Sequence, residues 1–191
     1  MRRRLCALVV VAAATASGCA HTGLGIYRLV EPGVRSMDGE YTIRSQRSWS
    51  KTDSGKIETW TIDGFSLGQL RFFKGIADGE SMLLGRIPVD GQARYRASMT
   101  RIEITELIMD SLFGSQFSVK DVRPARFGGA PGFRFEVSYW ADGAKRDALV
   151  AGAALKNRLQ VIVYDGVSLY YFDKYRQEVE SMLESIALTG S

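Results

Sequence analysis

Histidine and cysteine are almost missing from these 191 residues, which hold one His and two Cys. All three sit near the start of the chain, as Cys6, Cys19 and His21. The rest of the chain has neither a thiol nor an imidazole. That excludes a disulfide within it, a Cys-based metal site, and the Ser-His and Cys-His pairs of nucleophilic catalysis. The residues suggest no cofactor and no metal. A long apolar run is missing too. Spanning a ~30 Å hydrocarbon core takes about 20 apolar residues, and the longest candidate, residues 5–16, is too short. There is no internal repeat and no low-complexity segment.

What is present begins with a leader. Arg2, Arg3 and Arg4 precede the apolar stretch, and Ser17 and Gly18 close it with small side chains, the layout of a secretory signal. Ala16-Ser17-Gly18-Cys19 resembles the lipobox of a bacterial lipoprotein, with Ala16 where Leu is more usual. The resemblance implies a lipid on the Cys19 thiol, cleavage between Gly18 and Cys19, and acylation of the freed amine. The lipoprotein-processing and sorting machinery would then be partners. Small residues before the cut let the backbone extend into a protease groove, and the thiol is the nucleophile that forms the thioether. Each acyl chain contributes ~0.8 kcal/mol per buried CH₂, and stable anchoring takes more than one. Ala20 is not the Asp that resembles an inner-membrane retention signal. In a two-membrane bacterium this implies the outer membrane, with the domain facing the periplasm. The other reading is an ordinary secreted protein cut near Ala14 or Ala16, with Cys19 incidental.

Processing changes the charge balance. The formal net charge is +4, from 25 basic and 21 acidic residues. Removal of residues 1–18 takes three of the basic residues and none of the acids, leaving a nearly neutral chain. A nucleic-acid-binding domain carries a basic stripe, so no nucleic-acid partner is expected. His21 falls in a tether beside the lipid, away from any pocket of the domain.

Residues 19–38 are read as the lipidated cysteine and its tether, with Gly23, Gly25, Pro32 and Gly33 and no clear periodicity. Ile26, Tyr27, Leu29 and Val30 could lie back on membrane or domain. Residues 39–188 are read as one globular domain, so a chain starting near Ser36 is expected to fold alone. Strands are predicted over 41–45, 49–51, 56–63 and 70–76, with a turn at Asp53-Ser54-Gly55. Residues 85–97 form a long connection. Residues 100–113 have helical spacing in Ile104, Leu107, Ile108 and Leu112, with Thr100 and Glu103 fitting a capping box and Gly114 a C′ position. Four strands follow over 118–127, 132–140, 145–155 and 158–164. In the second, Phe133, Phe135, Val137 and Tyr139 alternate with Arg134, Glu136, Ser138 and Trp140. An amphipathic helix over 170–187 closes the chain, with Lys174 and Glu178 spaced for an i,i+4 pair.

This order resembles the PsbP-like α/β sandwich, a group that includes the DcrB-type bacterial lipoproteins. The residues that carry the resemblance are Met99-Thr100, Gly129-Ala130-Pro131-Gly132-Phe133, and the ending from Tyr164 through Tyr175, Val179, Met182 and Ser185-Ile186. It implies an α+β fold: one sandwich, its sheet largely antiparallel, with a mid-chain and a C-terminal helix packed on it. It brings no shared catalytic residues, and it implies members that mostly bind other proteins or are uncharacterised.

The candidate sites are few. Glu103, Glu106 and Asp110 share a helix face, but a carboxylate row without His is more simply a solvated one, and a hard-cation site needs converging oxygens. Gly128-Gly129-Ala130-Pro131-Gly132 lacks the Lys-Ser/Thr ending of a phosphate loop. Trp49, Trp60 and Trp140 read as core or sheet-face aromatics. Arg86, Arg94, Tyr95 and Arg96 are the candidate partner-binding surface, because long loops and Arg or Tyr side chains favour interfaces. The expected function is therefore a non-enzymatic, lipid-anchored envelope protein that binds a protein partner or supports assembly. The alternative is a small-ligand or lipid-binding module, and an enzyme working without His or Cys is the third reading.

Overall fold

The structure, a computed structural model, describes residues 27–82 and 92–190. Strands β1 (Arg28–Val30), β2 (Gly33–Met37), β3 (Tyr41–Ser45), β4 (Trp49–Asp53), β5 (Ile57–Thr61) and β6 (Gly68–Ile76) lead to helix α1 (Arg101–Leu112). Then come β7 (Phe117–Phe127), β8 (Ala130–Ala141), β9 (Ala144–Leu155), β10 (Arg158–Val167), helix α2 (Tyr171–Glu184) and β11 (Ala187–Leu188). Eight strands form one antiparallel sheet in the order β1-β4-β5-β6-β10-β9-β8-β7, and β11-β3-β2 form a smaller one.

The strand period of two sorts the core into two layers. Phe73, Val161, Val163, Val150 and Phe135 share one apolar cluster with Ile104, Leu107 and Ile108 of α1. Their sequence neighbours Phe72, Ile162, Tyr164 and Leu149 share the other with Phe172, Val179 and Met182 of α2. The small sheet completes that second layer through Met37, Tyr41 and Ile43. The fold is α+β, with both faces of the large sheet covered. Residues 132–133 show how closely its centre packs. Phe133 is paired with Gly152, and a Cβ on Gly152 would stand 2.7 Å from the Phe133 ring and 2.4 Å from the Gln160 carbonyl oxygen.

Three expectations change. The predicted tether over 19–38 includes two strands: β1 pairs with β4 and β2 with β3, burying Val30 and Met37. Residues from Arg28 onward therefore belong to the sheets, and a chain starting at Ser36 would lose β1 and most of β2. Among the described residues a strand, β11, follows α2, where residues 185–187 were expected to continue the helix. The Lys174–Glu178 pair is replaced by longer-range contacts. Lys174 reaches Asp63 at 2.6 Å, while Glu178 accepts from the Gln46 N–H at 2.8 Å. The i,i+4 pair that α2 does make is Arg176–Glu180, at 3.1 Å.

The capping box is as the spacing predicts. Glu103 N–H donates to Thr100 Oγ1, and the Glu103 carboxylate accepts the Thr100 N–H at 2.6 Å.

Candidate functional site

The candidate residues read from the sequence do not assemble into one site. Gly18, Cys19 and Arg86 lie outside the described residues. Tyr95 is 0% exposed, in the α1 core with Phe73 and Met82, so as a surface residue it is corrected. Its ring is apolar enough to join that core, and its backbone is clasped between Gly79 N–H (2.7 Å) and Glu80 O (2.9 Å). Arg94 and Arg96 are exposed on the flank of this clasp, where Arg94 donates to Gly79 O at 3.0 Å. Glu103 is engaged in the helix cap, and Glu106 and Asp110 are exposed. Trp49 and Trp60 are in the core, while Trp140 is 61% exposed.

A cleft of about 380 Å³ lies instead at the β7–β8–β9 end of the sheet, lined by Gln116, Ser118, Lys120, Ser138, Trp140 and Lys145 among others. Strand register builds it. Trp140 is paired with Lys145, Ser138 with Asp147 and with Ser118, and Lys120 with Glu136. Because Phe135, Val137 and Tyr139 enter the α1 core, the alternate residues of β8 project to the α2 side. There, α2 covers the strand through a ladder of charges: Arg134–Glu180 at 2.7 Å, then Arg176 bridging Glu180 and Glu136. The ladder stops at Glu136. Ser138 and Trp140 lie beyond it and line the cleft.

The electrostatics favour holding a group over attacking one. Ser138 donates its hydroxyl to the Asp147 carboxylate. Burial pushes the Asp147 carboxyl up, but the Ser138 hydrogen bond and the charges of Lys120 and Lys145 outweigh it and hold the group below the usual carboxylate range. A carboxylate kept ionised this firmly is a weak base for Ser138. Lys120 and Lys145 line the cleft and make no ion pair within 4 Å among the described residues, their charges acting at longer range on Asp147.

Directly behind the cleft, on the α1 side, is a buried polar cluster. Tyr139 Oη donates to Asp165 Oδ2 at 2.5 Å, and Asp165 lies between Arg71 (3.6 Å) and Arg146 (3.5 Å). Arg146 also donates to the Ser66 carbonyl at 2.7 Å. Burial and the Asp165 charge push the Tyr139 hydroxyl well above the usual phenol range, so it remains a donor. The cluster ties β6, β8, β9 and β10 to the loop at Ser66 and fixes the β8–β9 hairpin that carries the cleft. The sequence reading missed it. The signal was there: single charges, Arg71, Arg146 and Asp165, within or bordering strands otherwise rich in apolar residues.

No family model matches the chain, and no curated protein matches it. Among solved structures, a crystal structure from Bacteroides thetaiotaomicron VPI-5482 is similar with a TM-score of 0.52 and 10% identity, over 85% of this chain and 50% of that one. The chain thus spans about half the length of that protein. The solution structure of cyanobacterial PsbP (CyanoP) from Synechocystis sp. PCC 6803 is similar with a TM-score of 0.51 and 12% identity, over 91% of this chain and 98% of that one. At these identities the likeness is one of fold, and that fold is PsbP-like.

Proposed function

We propose that this is a lipid-anchored cell-envelope protein, held by acyl chains on Cys19 after cleavage at Gly18, whose domain binds a protein partner without catalysing a reaction. In a two-membrane bacterium it would sit on the outer membrane, facing the periplasm. The observation that carries this reading is the order of the large sheet. The strand that follows the lipobox, β1, is one edge, and β7, beside the cleft, is the other. Seven inter-strand steps of ~4.8 Å separate them by about 34 Å. An anchor at Cys19 therefore joins the domain beside β1, the edge opposite the cleft. Among the described residues no helix is long and apolar enough to cross a membrane, so in this reading attachment falls to the lipid.

Trp140, exposed in the cleft lined also by Lys120 and Lys145, is the side chain best suited to dominate a contact, since Trp is enriched at interface hot spots. Labelling cells with an alkyne fatty acid should mark the wild type and not Cys19→Ala. Label retained in the variant would refute the anchor. A photo-crosslinker at position 140 in living cells should give a discrete protein adduct, and the same probe at exposed Ile102 should not. Absence of an adduct at 140 would count against the partner reading.

A second reading rests on the cleft itself. Its volume falls within the roughly 300–1,000 Å³ of small-molecule sites, and an aromatic face with two ammonium groups suits an anionic ring. If so, position 140 would give a small mass adduct in place of a protein.

A further inference from the structure

The strands nearest the proposed anchor carry charges that the domain does not use. Residues 27–50 hold Arg28, Arg35, Arg44 and Arg47 against Glu31, Asp38 and Glu40, of which Glu40 is paired with Lys156. All four arginines are exposed. Among the described residues none of them makes an ion pair. Neighbouring cations behave differently: Lys51 is tied to Glu58 at 2.9 Å and Lys174 to Asp63 at 2.6 Å. Arg35 reaches only a backbone oxygen, Glu31 O at 3.2 Å, and Arg47 lies 5.8 Å from the Tyr175 ring centre. The same segments expose Tyr27, Leu29 and Val34 at 53%, 63% and 50%. Val34 stands opposite Arg44 across β2–β3, so a basic and an apolar side chain sit side by side on the outer face of the small sheet, while Arg35 stands opposite the buried Ile43.

We propose that β1, the edge strand of the large sheet, and the β2–β3 hairpin of the small sheet dock directly on an anionic lipid surface, so that the domain lies against the membrane instead of hanging free from its anchor. This rests on the lipid-anchor reading. The occupant is argued from chain length and charge. Eight residues separate Cys19 from Arg28, and the nine steps at 3.3–3.6 Å each reach at most about 32 Å. A lipidated Cys19 thus holds β1 within that distance of the headgroups, and the cleft edge lies ~34 Å from β1 across the large sheet. Guanidinium groups bind phosphate oxygens bidentately. Apolar side chains among them can enter the headgroup boundary.

The test removes the lipid and asks whether the face binds alone. A chain from Ala20 contains every residue of both cores and carries neither leader nor acyl group. Mixed with sedimentable vesicles of 30% phosphatidylglycerol in phosphatidylethanolamine, it should bind, and it should not bind pure phosphatidylcholine. Attraction worth about 1 kcal/mol per basic residue corresponds to roughly fivefold per arginine, so Arg28→Glu with Arg44→Glu should weaken binding at least tenfold. Raising the salt to 0.5 M should act in the same direction. Circular dichroism of the variant would show that it remains folded. Binding equal on both vesicle types, or unchanged in the double variant, overturns the proposal. A dimer in sedimentation that the double variant abolishes would also overturn it, assigning the face to a second copy. Fatty-acid labelling of Cys19 is read separately, so loss of the anchor and failure of the docking face give different results.

Discussion

Asp165 is buried between two guanidinium groups and takes a phenol hydrogen bond from Tyr139. Removing that charge while leaving Arg71 and Arg146 in place strands two cations with little solvent. Breaking a buried pair from one side costs about 3–5 kcal/mol. Asp165→Asn should therefore lower the melting temperature by about 10 °C, at roughly 2–4 °C per kcal/mol for a chain of this size. Tyr139→Phe removes one donor and should cost about 1–3 kcal/mol. Thermal unfolding followed by circular dichroism checks both, and an Asn variant as stable as wild type would show the cluster to be replaceable. Asp147, on the other face of the same hairpin, makes a pH prediction. Its carboxyl is held below the usual range, so its contribution is fully present above the ordinary value near 3.9 and lost as pH falls through the lower, folded one. In Asp147→Asn that contribution is absent at every pH. The stability gap between wild type and variant should thus close as pH drops from about 6 to 2.5, and a constant gap in urea titrations would contradict it.

Helix α1 shows which elements a sequence discloses. Its Thr100–Glu103 capping box closes two N–H groups within three residues, and Ile104, Leu107 and Ile108 fall on one face, so cap and periodicity agree. Thr100→Ala should cost about 1 kcal/mol, seen as a melting point lower by roughly 2–4 °C. Gly152 belongs to β9 and depends on two neighbouring strands. A methyl group there meets the Gln160 carbonyl and the Phe133 ring, so Gly152→Ala should destabilise by at least about 1–3 kcal/mol. A neutral result would mean that β8 and β10 can spread at little cost. Strong local signals explain why β3 to β10 and both helices were legible. Strands β1 and β2 were not, because three and five residues burying only Val30 and Met37 leave no alternation to detect. The Gly and Pro residues around them also read as linker. The cleft was half legible. Alternation placed Ser138 and Trp140 opposite the Phe133–Tyr139 row, but their exposure depends on where the α2 charge ladder ends. That ladder joins Arg134 to Glu180 and Arg176 to Glu136, across separations no local pattern records.

At the scale of the molecule, the large sheet is a spacer with unlike edges. One edge, β1, carries the exposed Arg28. The other carries the cleft, which the Asp165 cluster supports from behind. Its orientation can be read from a single side chain, because Trp49 and Trp60 are buried and Trp140 is exposed. Quenching by aqueous acrylamide should therefore report mainly on the cleft, and Trp140→Phe should remove most of the quenchable signal. If β1 and the β2–β3 hairpin meet the membrane, binding to phosphatidylglycerol vesicles should leave the Trp140 quenching slope unchanged, since about 34 Å of sheet lies between β1 and the cleft edge. A free domain swinging on its tether would also keep the slope, but its binding would not fall in the Arg28→Glu, Arg44→Glu variant. A slope that drops on vesicle binding would instead turn the cleft toward the lipid, and Lys120 and Lys145 would become headgroup contacts. The two measurements together therefore separate a domain docked by its arginine face from one tethered only by lipid, and both from one docked by its cleft.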